Sequence, residues 1–368
     1  MKAGFLFDRP RVPLNRPDIG FAERAAVSKV LRGGSLAQGK TVAEFERAFS
    51  NYVGGSSCVA LNSGTSALHL GMLALGIGPG DEVIVPTFTF AATANAVAIT
   101  GATPVFVDIE PEFFSIDPAH VEAAITSKTR AVVAVHLYGH PAQLDKLSEL
   151  CEKHGINLVE DAAQAHLASF ESRPVGSWGA FGAFSFYPTK NMTTGEGGMA
   201  TTNSGDIERM MRLLRNQGME KRYQNEVPGF NNRMTEVAAA IGLVQLTKID
   251  QWTEKRRKNA KFLDEQLSGV VVPAVSPKAK HVYHQYTIRV IGHNRERFSA
   301  ELAKLGVDSD VYYPAPVHTL PAYGLKVEAP VAFEVSSSCL SIPVHQNLKM
   351  SHLNKIIDAV NKVARAGA

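Results

Sequence analysis

A regular alternation of short apolar runs with helical patterns between residues 82 and 202 constrains the fold of this chain more than any other feature. Predicted strands occupy residues 82–85, 103–107, 131–136, 156–160, 183–187 and 199–202, with helices between them such as 91–100, 118–125 and 144–154. The strands are nearly continuous apolar runs, which is typical of a largely parallel sheet covered by helices on both faces. The sequence therefore predicts an α/β fold.

The segments on either side of this alternation predict an arm and a second, smaller domain. Residues 1–40 are rich in proline and glycine and are interpreted as an extended arm followed by one helix. After residue 270 the pattern changes to an alternating strand and shorter helices. We therefore predict a large domain over residues 1–250, which includes the arm, and a small C-terminal α+β domain over residues 251–368. The helical patterns outside the alternation are 21–31, 42–53, 64–75, 234–249, 252–267, 295–305 and 351–365, and the strand is 286–291.

Composition and charge exclude several classes of partner. Hydrophobic residues make up 45% of the chain and charged residues 20%, which is ordinary for a globular protein. The formal net charge of +3 gives no reason to expect nucleic-acid or membrane partners. The densest basic run, Lys-Arg-Arg-Lys at residues 255–258, lies in a helical pattern and is interpreted as a solvated helix face.

The cysteines and the apolar segments indicate a cytoplasmic protein. No cysteine pair has the spacing of a zinc site, and an odd number of distant cysteines argues against a disulfide framework. Residues 1–15 carry charges and prolines where a signal peptide needs an apolar core. The best candidate for a membrane span, residues 88–107, is interrupted by polar residues, glycine and proline. The cysteines are Cys58, Cys151 and Cys339.

One predicted strand end carries the clearest chemical signal. Pro188 ends the aromatic run at residues 184–187, because proline donates no hydrogen bond to a sheet. Lys190 then lies just past the carboxyl end of that strand. Partial burial favours the neutral amine over the ammonium, and a neutral lysine amine attacks carbonyl groups. Lys190 is thus a candidate for covalent attachment to a carbonyl compound, and a surface lysine after a strand is the alternative.

Two further candidates lie at other strand ends, where ligands of open α/β sheets bind. Asp161 follows the strand at 156–160. Pyridoxal phosphate (PLP) needs a carboxylate at its pyridine nitrogen, whereas a helix N-cap is the alternative role for Asp161. Gly64, Thr65 and Ser66 open a helix after a short apolar run. Backbone N–H groups at a helix N-terminus bind phosphate, and a plain helix cap is the alternative.

Ser185 and Phe90 complete this set. Ser185 is placed to give a hydroxyl to the same phosphate, or else is a satisfied buried serine. Phe90 follows the strand at 82–85 and is our candidate for stacking on a planar cofactor, although core packing is the default for phenylalanine. Successive strand ends thus carry a phosphate site, an aromatic ring, a carboxylate and a lysine.

The motifs that hold these residues resemble those of the DegT/DnrJ/EryC1/StrS family of sugar aminotransferases, PLP-dependent enzymes of fold type I. The resemblance covers almost the whole chain and implies that Lys190 holds PLP and that Asp161 contacts its pyridine nitrogen. It implies that Gly64, Thr65 and Ser185 bind the phosphate. The matching segments are 35–40, 61–68, 80–86, 159–166, 184–198, 312–314 and 340–343.

The resemblance assigns roles at three more positions. It implies that Phe90 stacks on the ring and that Gln164 contacts the side of the ring that carries the hydroxyl. Asn231 resembles the residue that reaches into the neighbouring subunit's site, which implies a homodimer with shared active sites. Asn232 is an equally good candidate, and a loop residue that caps the next helix is the alternative for Asn231. Leu167 departs from the family, since relatives often carry glycine there, and is a candidate to reshape the floor near the ring.

The implied reaction is transamination of a sugar. By resemblance, glutamate or glutamine gives an amino group to a keto-sugar, nucleotide-linked, with its ketone at ring carbon 3 or 4. Tyr187, His318 and His345 are candidates to line the sugar pocket, with structural roles as the alternative for the two histidines. Two alternatives remain open: a keto substrate of the aminocyclitol or 3-amino-5-hydroxybenzoate type, and a PLP-binding regulator without turnover.

Other classes are disfavoured by particular residues. Dehydrating relatives replace the lysine with histidine, and this chain keeps Lys190. No DNA-binding helix pair or basic patch supports a regulator. The glycines at 76, 78 and 80 end a helix instead of opening one, unlike a nicotinamide fingerprint. His281-x-x-His284 has no third ligand, so no metal site is expected.

Overall fold

The computed structural model describes residues 11–367, so the first ten residues of the predicted arm lie outside the described part. The strands, in chain order, are β1 (Ser57–Leu61), β2 (Glu82–Pro86), β3 (Thr103–Val107), β4 (Thr129–Val135), β5 (Asn157–Asp161), β6 (Ser169–Phe170), β7 (Arg173–Pro174), β8 (Phe181–Ser185), β9 (Gly198–Thr202), β10 (Met219–Lys221), β11 (Gln224–Asn225), β12 (Ala279–Lys280), β13 (Tyr286–Arg289) and β14 (Cys339–Ile342).

The α-helices, in chain order, are α1 (Phe21–Gly33), α2 (Lys40–Ser50), α3 (Gly64–Ala74), α4 (Ala91–Ala98), α5 (Pro118–Ala124), α6 (Leu144–His154), α7 (Gly205–Arg215), α8 (Glu236–Leu246), α9 (Ile249–Gln266), α10 (Arg295–Lys304), α11 (Pro330–Ser338) and α12 (Met350–Arg365). Within residues 11–367, no helix is long and apolar enough to cross a membrane.

The central sheet has seven strands in the order β1-β9-β8-β5-β4-β2-β3. The pairs β3–β2, β2–β4, β4–β5 and β5–β8 are parallel. Strand β9 runs antiparallel to both β8 and β1, so β1 points in the same direction as the parallel strands. The carboxyl ends of six strands therefore meet at one edge, and the predicted largely parallel sheet is confirmed.

Helices cover both faces of this sheet because each turns an apolar stripe inward. Helix α6 buries Leu144, Leu147, Leu150 and Cys151 and ends at Gly155, whose φ of 62° is the left-handed value that favours glycine. One buried cluster joins the sheet to α3, α4 and α7, and a second joins its other face to α2, α6 and α8. The predicted two-sided covering is therefore present.

A third buried cluster forms the core of the C-terminal region. It contains apolar side chains from α9, α10, α12 and the antiparallel pair β13–β14. Val12 from the N-terminal arm belongs to the same cluster and bridges Val307. The arm therefore packs on the C-terminal region. The domain boundary between residues 250 and 251 stays a prediction, and helix α9 begins beside it at Ile249.

The structure corrects several predicted boundaries. The strand predicted at 183–187 ends at Ser185, because the chain turns there into the segment that carries Lys190. The helix predicted at 234–249 begins only after Thr235, whose side chain accepts a hydrogen bond from Ala238 N, and ends at Leu246. Strand β1 was not among the predicted strands, since only three consecutive apolar residues mark it.

Candidate active site

The register of the sheet brings the first predicted residues together at its carboxyl edge. Leu61, the last residue of β1, lies opposite Gly198, and Gly198 lies opposite Ser185 on the other side. Helix α3 begins three residues after Leu61. The helix N-terminus predicted to bind phosphate therefore lies directly beside Ser185.

Gly64 makes this close approach possible. A Cβ atom on residue 64 would lie 2.8 Å from the Cβ of Ser185, closer than side-chain carbons pack. Ser63 caps the helix, since its Oγ accepts from Ser66 N at 3.1 Å, and the Ser66 hydroxyl donates to Asn62 Oδ1 at 2.7 Å. The hydroxyl of Ser66 is thus used in the cap. The N–H groups of Gly64 and Thr65 have no intrahelical acceptor and are therefore available to a ligand.

Asp161 is held in place at the end of β5. Its carboxylate accepts from Thr93 Oγ1 at 2.7 Å and from Ala163 N at 3.2 Å, and the residue is only 6% exposed. Turns follow Asp161 instead of a helix, so the alternative reading as a helix N-cap is wrong. Thr93 was not identified from the sequence, although a hydroxyl on the buried side of an alanine-rich helix was the available signal.

Lys190 follows β8 on a turn in which its N–H donates to Tyr187 O at 2.9 Å. The side chain is half-buried. Burial lowers the pKa of Lys190 to about 8, and the negative charge of Asp161 partly opposes this shift. The amine of Lys190 and the carboxylate of Asp161 are therefore close enough to interact electrostatically.

Gln164 lies beside them with its amide group fixed by the protein. Its Nε2 donates to Tyr313 Oη at 2.6 Å and its Oε1 accepts from Tyr138 N at 2.7 Å. One Nε2 hydrogen remains for a ligand. Neither tyrosine was assigned a role from the sequence, because both partners are distant from Gln164 along the chain.

Comparison with known proteins agrees with this geometry. The model of the DegT/DnrJ/EryC1/StrS aminotransferase family matches residues 17–361. The chain belongs to this family.

Relatives in the family match over nearly their full length. GDP-perosamine synthase of Caulobacter vibrioides is 38% identical over 97% of this chain and 99% of its own. The dTDP-3-amino-3,4,6-trideoxy-alpha-D-glucose transaminase of Streptomyces venezuelae is 38% identical over 97% of each chain. Among solved structures, Spr1654 of Streptococcus pneumoniae in its PLP form matches with a TM-score of 0.93 and 31% identity, over 97% of this chain and 100% of that chain. The predicted family, fold type I and PLP-dependent aminotransferase chemistry are confirmed.

The residues present fit PLP. The glycine-dependent contact between α3 and β8 places the N-terminal N–H groups of α3 beside the Ser185 hydroxyl, and this cradle has the donor types that a phosphate group needs. Asp161 is buried and held as a hydrogen-bond acceptor, which suits a protonated pyridine nitrogen. Roles of the individual residues towards PLP stay predictions.

Three of the predicted site residues are exposed on the surface around the carboxyl edge of the sheet. Phe90 is 62% exposed, Tyr187 is 48% exposed and Asn231 is exposed. Thr235 caps helix α8, so the alternative reading of Asn231 as its cap is wrong. Asn232, the equally good candidate, accepts through its carbonyl from Asn62 N at 3.0 Å, so this segment lies beside the phosphate cradle.

The two histidines predicted for the sugar pocket are buried. His318 is 1% exposed, pairs through Nδ1 with Thr87 Oγ1 and packs on Phe106. His345 is 2% exposed, and its Nε2 donates to Pro13 O at 3.1 Å. Both contacts are structural, and a role in sugar binding stays a prediction.

Leu167, the predicted departure from the family pattern, occupies a backbone conformation that favours glycine. Its φ is 67°, in the left-handed region that is unfavourable for a branched side chain. The side chain packs against the apolar cluster under α2 and α8. Within residues 11–367, no group of three or more His, Cys, Asp or Glu residues is placed to hold a metal ion.

The lowered pKa of Lys190 predicts the pH dependence of cofactor attachment. Only the neutral amine reacts with an aldehyde, and it is the minor form below its pKa. We expect the rate of PLP attachment to the apo protein to rise about tenfold per pH unit below pH 8 and to level off above it. Stopped-flow absorbance between about pH 6 and pH 10 measures this rate.

A lysine with an ordinary pKa is the control for this prediction. Nα-acetyl-lysine mixed with PLP under the same conditions should show a rate that rises up to its ordinary pKa near 10.5. A protein rate that follows the free amino acid across the whole range would contradict the burial of the amine.

Proposed function

We propose that this enzyme transfers an amino group from glutamate or glutamine to a nucleotide-linked keto-sugar, with the ketone at ring carbon 3 or 4, in amino-sugar biosynthesis. The observation that carries the proposal is the shared environment of Lys190 and Asp161 beside the phosphate cradle. GDP-perosamine synthase and the dTDP-amino-sugar transaminase, each 38% identical to this chain, support the substrate class.

PLP, when bound, supplies an electron sink that stabilises negative charge at the reacting carbon of the substrate. Lys190 supplies the amine that anchors the cofactor. Once displaced by the amino donor, its Nζ acts as the base that takes the proton from the donor's α-carbon. A pKa of about 8 suits this exchange, because the neutral and protonated forms are both accessible near neutral pH.

The other site residues are proposed to hold and orient the cofactor. Asp161, fixed by Thr93, keeps a negative charge where the pyridine nitrogen carries its proton. The N–H groups of Gly64 and Thr65, with the Ser185 hydroxyl, would hold the phosphate. Gln164 would direct its remaining N–H at the ring hydroxyl of the bound cofactor, and Phe90 would cover the ring face. Tyr187, His318 and His345 are retained as candidates for the sugar side.

We also propose that two copies of the chain form a homodimer and share their active sites. Phe90, Tyr187 and Asn231 are exposed around a site whose other parts are buried or half-buried, which supports cover from a second subunit. The resemblance assigns Asn231 to the cofactor site of the neighbouring subunit. We propose a cytoplasmic location because the three cysteines are free and buried, which suits a reducing compartment.

A panel of acceptors tests the function. The PLP-loaded protein is incubated with ¹⁵N-glutamate, or with amide-labelled glutamine, and with 3-keto and 4-keto sugars linked to UDP, GDP or dTDP. Keto precursors of an aminocyclitol and of 3-amino-5-hydroxybenzoate are tested in parallel. We expect mass spectrometry to find labelled amino sugar with one nucleotide series. Label that appears only in an aminocyclitol or in 3-amino-5-hydroxybenzoate would contradict the sugar substrate, and PLP on Lys190 with no transfer to any acceptor would favour the regulator.

A further inference from the structure

Arg256 lies in the buried part of α9, against the interpretation of residues 255–258 as a solvated face. It is 3% exposed, whereas its neighbours Lys255 and Lys258 are exposed. Its Nη1 donates to the carbonyls of Tyr283 at 3.1 Å and His284 at 3.3 Å. The face of α9 that packs inward therefore carries a cation.

This buried charge has no acid partner. No carboxylate among residues 11–367 lies within 4.0 Å of the guanidinium, whose Nε donates to the neutral Gln346 Oε1 at 3.1 Å. Burial lowers the pKa of Arg256 to about 10, so the group stays protonated at neutral pH. A buried charge without a counter-charge is costly, and buried charges in proteins are normally paired. The arrangement is therefore one that an anion would stabilise.

The free side of Arg256 faces the active site. Arg256 lines one cleft together with Lys190, Trp252 and Gln346. Its Nη2 donates to no acceptor in the described part of the chain. Asp18 also lines this cleft but makes no ion pair with Arg256.

His284 is a second, independent sign of an absent ligand. It is 3% exposed and its Nδ1 has no hydrogen-bond partner among the described residues. Burial lowers the pKa of His284, and the charges of Lys190 and Arg256 lower it further, so the ring lies close to both cations. A polar atom that is buried without a partner normally indicates a water, an ion or a ligand group.

We propose that Arg256 binds the carboxylate of the amino-acid donor that lies beside its reacting amine, with His284 adjacent. The inference rests on the proposed function and deepens it. An amino acid carries its amine and α-carboxylate on one carbon, so the group that binds this carboxylate must border the cleft of Lys190. The guanidinium fork matches a planar carboxylate.

The position of the cleft beside Lys190 favours this anion over a nucleotide phosphate. A phosphate of a nucleotide sugar is separated from the reacting carbon by part of the sugar ring, so it lies further from Lys190 than the donor carboxylate.

Binding of an unreactive dicarboxylate tests the inference without turnover. Glutarate is titrated by calorimetry into the PLP-loaded wild type and the Arg256→Gln variant, with UDP, GDP and dTDP in parallel. We expect Arg256→Gln to weaken glutarate binding about 10- to 100-fold, because a charge-assisted contact is lost, and to leave the nucleotides unaffected. Arg257→Gln is the matched control, since Arg257 is the next residue and pairs on the surface with Glu254; it should bind glutarate like the wild type.

Three results would overturn the inference: no glutarate binding by the wild type, equal binding by wild type and Arg256→Gln, or loss of nucleotide binding in that variant. If the melting curve of Arg256→Gln shows that this variant is unfolded, the Arg256→Lys variant tests the inference instead. Arg256→Lys keeps the charge but not the fork, and should bind glutarate about tenfold more weakly than the wild type; equal binding overturns the inference. A failure of the proposed function is separate, since it appears as no transfer of label from the donor to any keto-sugar while Arg256-dependent glutarate binding persists.

Discussion

Replacement of Lys190 by alanine is expected to lower kcat at least about 1,000-fold, because it removes both the cofactor anchor and the base that moves the proton. Borohydride reduction of the wild type followed by peptide mapping should place PLP on Lys190, and the variant should show no labelled peptide. Lys190→Arg keeps a positive charge but no nucleophilic amine, so it should be equally inactive. Loss of activity in Lys190→Arg would show that the site needs the amine of Lys190 and not merely its positive charge.

The control for this prediction is an exposed lysine. Lys153→Ala removes a surface amine that pairs with Glu122 at 2.6 Å, and its activity should match the wild type. A wild-type label on any lysine other than Lys190, or an active Lys190→Ala variant, would show that the catalytic amine lies elsewhere.

Replacement of Asp161 by asparagine is expected to lower kcat about 100- to 1,000-fold, while the fold is retained. Asparagine preserves the shape and the bond from Thr93 to Oδ but not the charge that keeps the pyridine nitrogen protonated. The electron sink is therefore weakened. Steady-state kinetics at saturating PLP measures the loss, and thermal melting checks that the variant is folded.

Asp117→Asn is the matched control, because Asp117 makes a similar bond to the backbone two residues later. Its Oδ1 accepts from Ala119 N at 2.8 Å, as Asp161 accepts from Ala163 N at 3.2 Å. If both variants lose only stability and keep their kcat, Asp161 has a structural role alone.

The sequence predicted Lys190 and Asp161 because strand ends are local features. A proline, or a change from apolar to polar residues, marks where a buried strand stops, and parallel strands bring such points to one edge. The partners that hold them were not predictable in this way. Thr93 reaches Asp161 and Tyr313 reaches Gln164 across gaps of 68 and 149 residues, and nothing in either local sequence identifies the other.

The inward orientation of Arg256 also could not be predicted from the local sequence. Four consecutive basic residues cover every direction around a helix, so the pattern cannot tell which one turns inward. Hydrogen-bond acceptors far along the chain determine that Arg256 turns inward. These acceptors are the carbonyls of Tyr283 and His284 and the side chain of Gln346. Charge patterning alone therefore predicted a solvated face and missed the buried cation.

The pairing of β1 with β9 has a consequence for biosynthesis. It closes a loop from residue 61 to residue 198, and long loop closures are entropically costly and slow. The nascent chain cannot complete the corner between α3 and β8, the proposed phosphate site, until the ribosome has passed residue 202. Binding of PLP during translation would then report that β1 and β9 have paired as in the native fold.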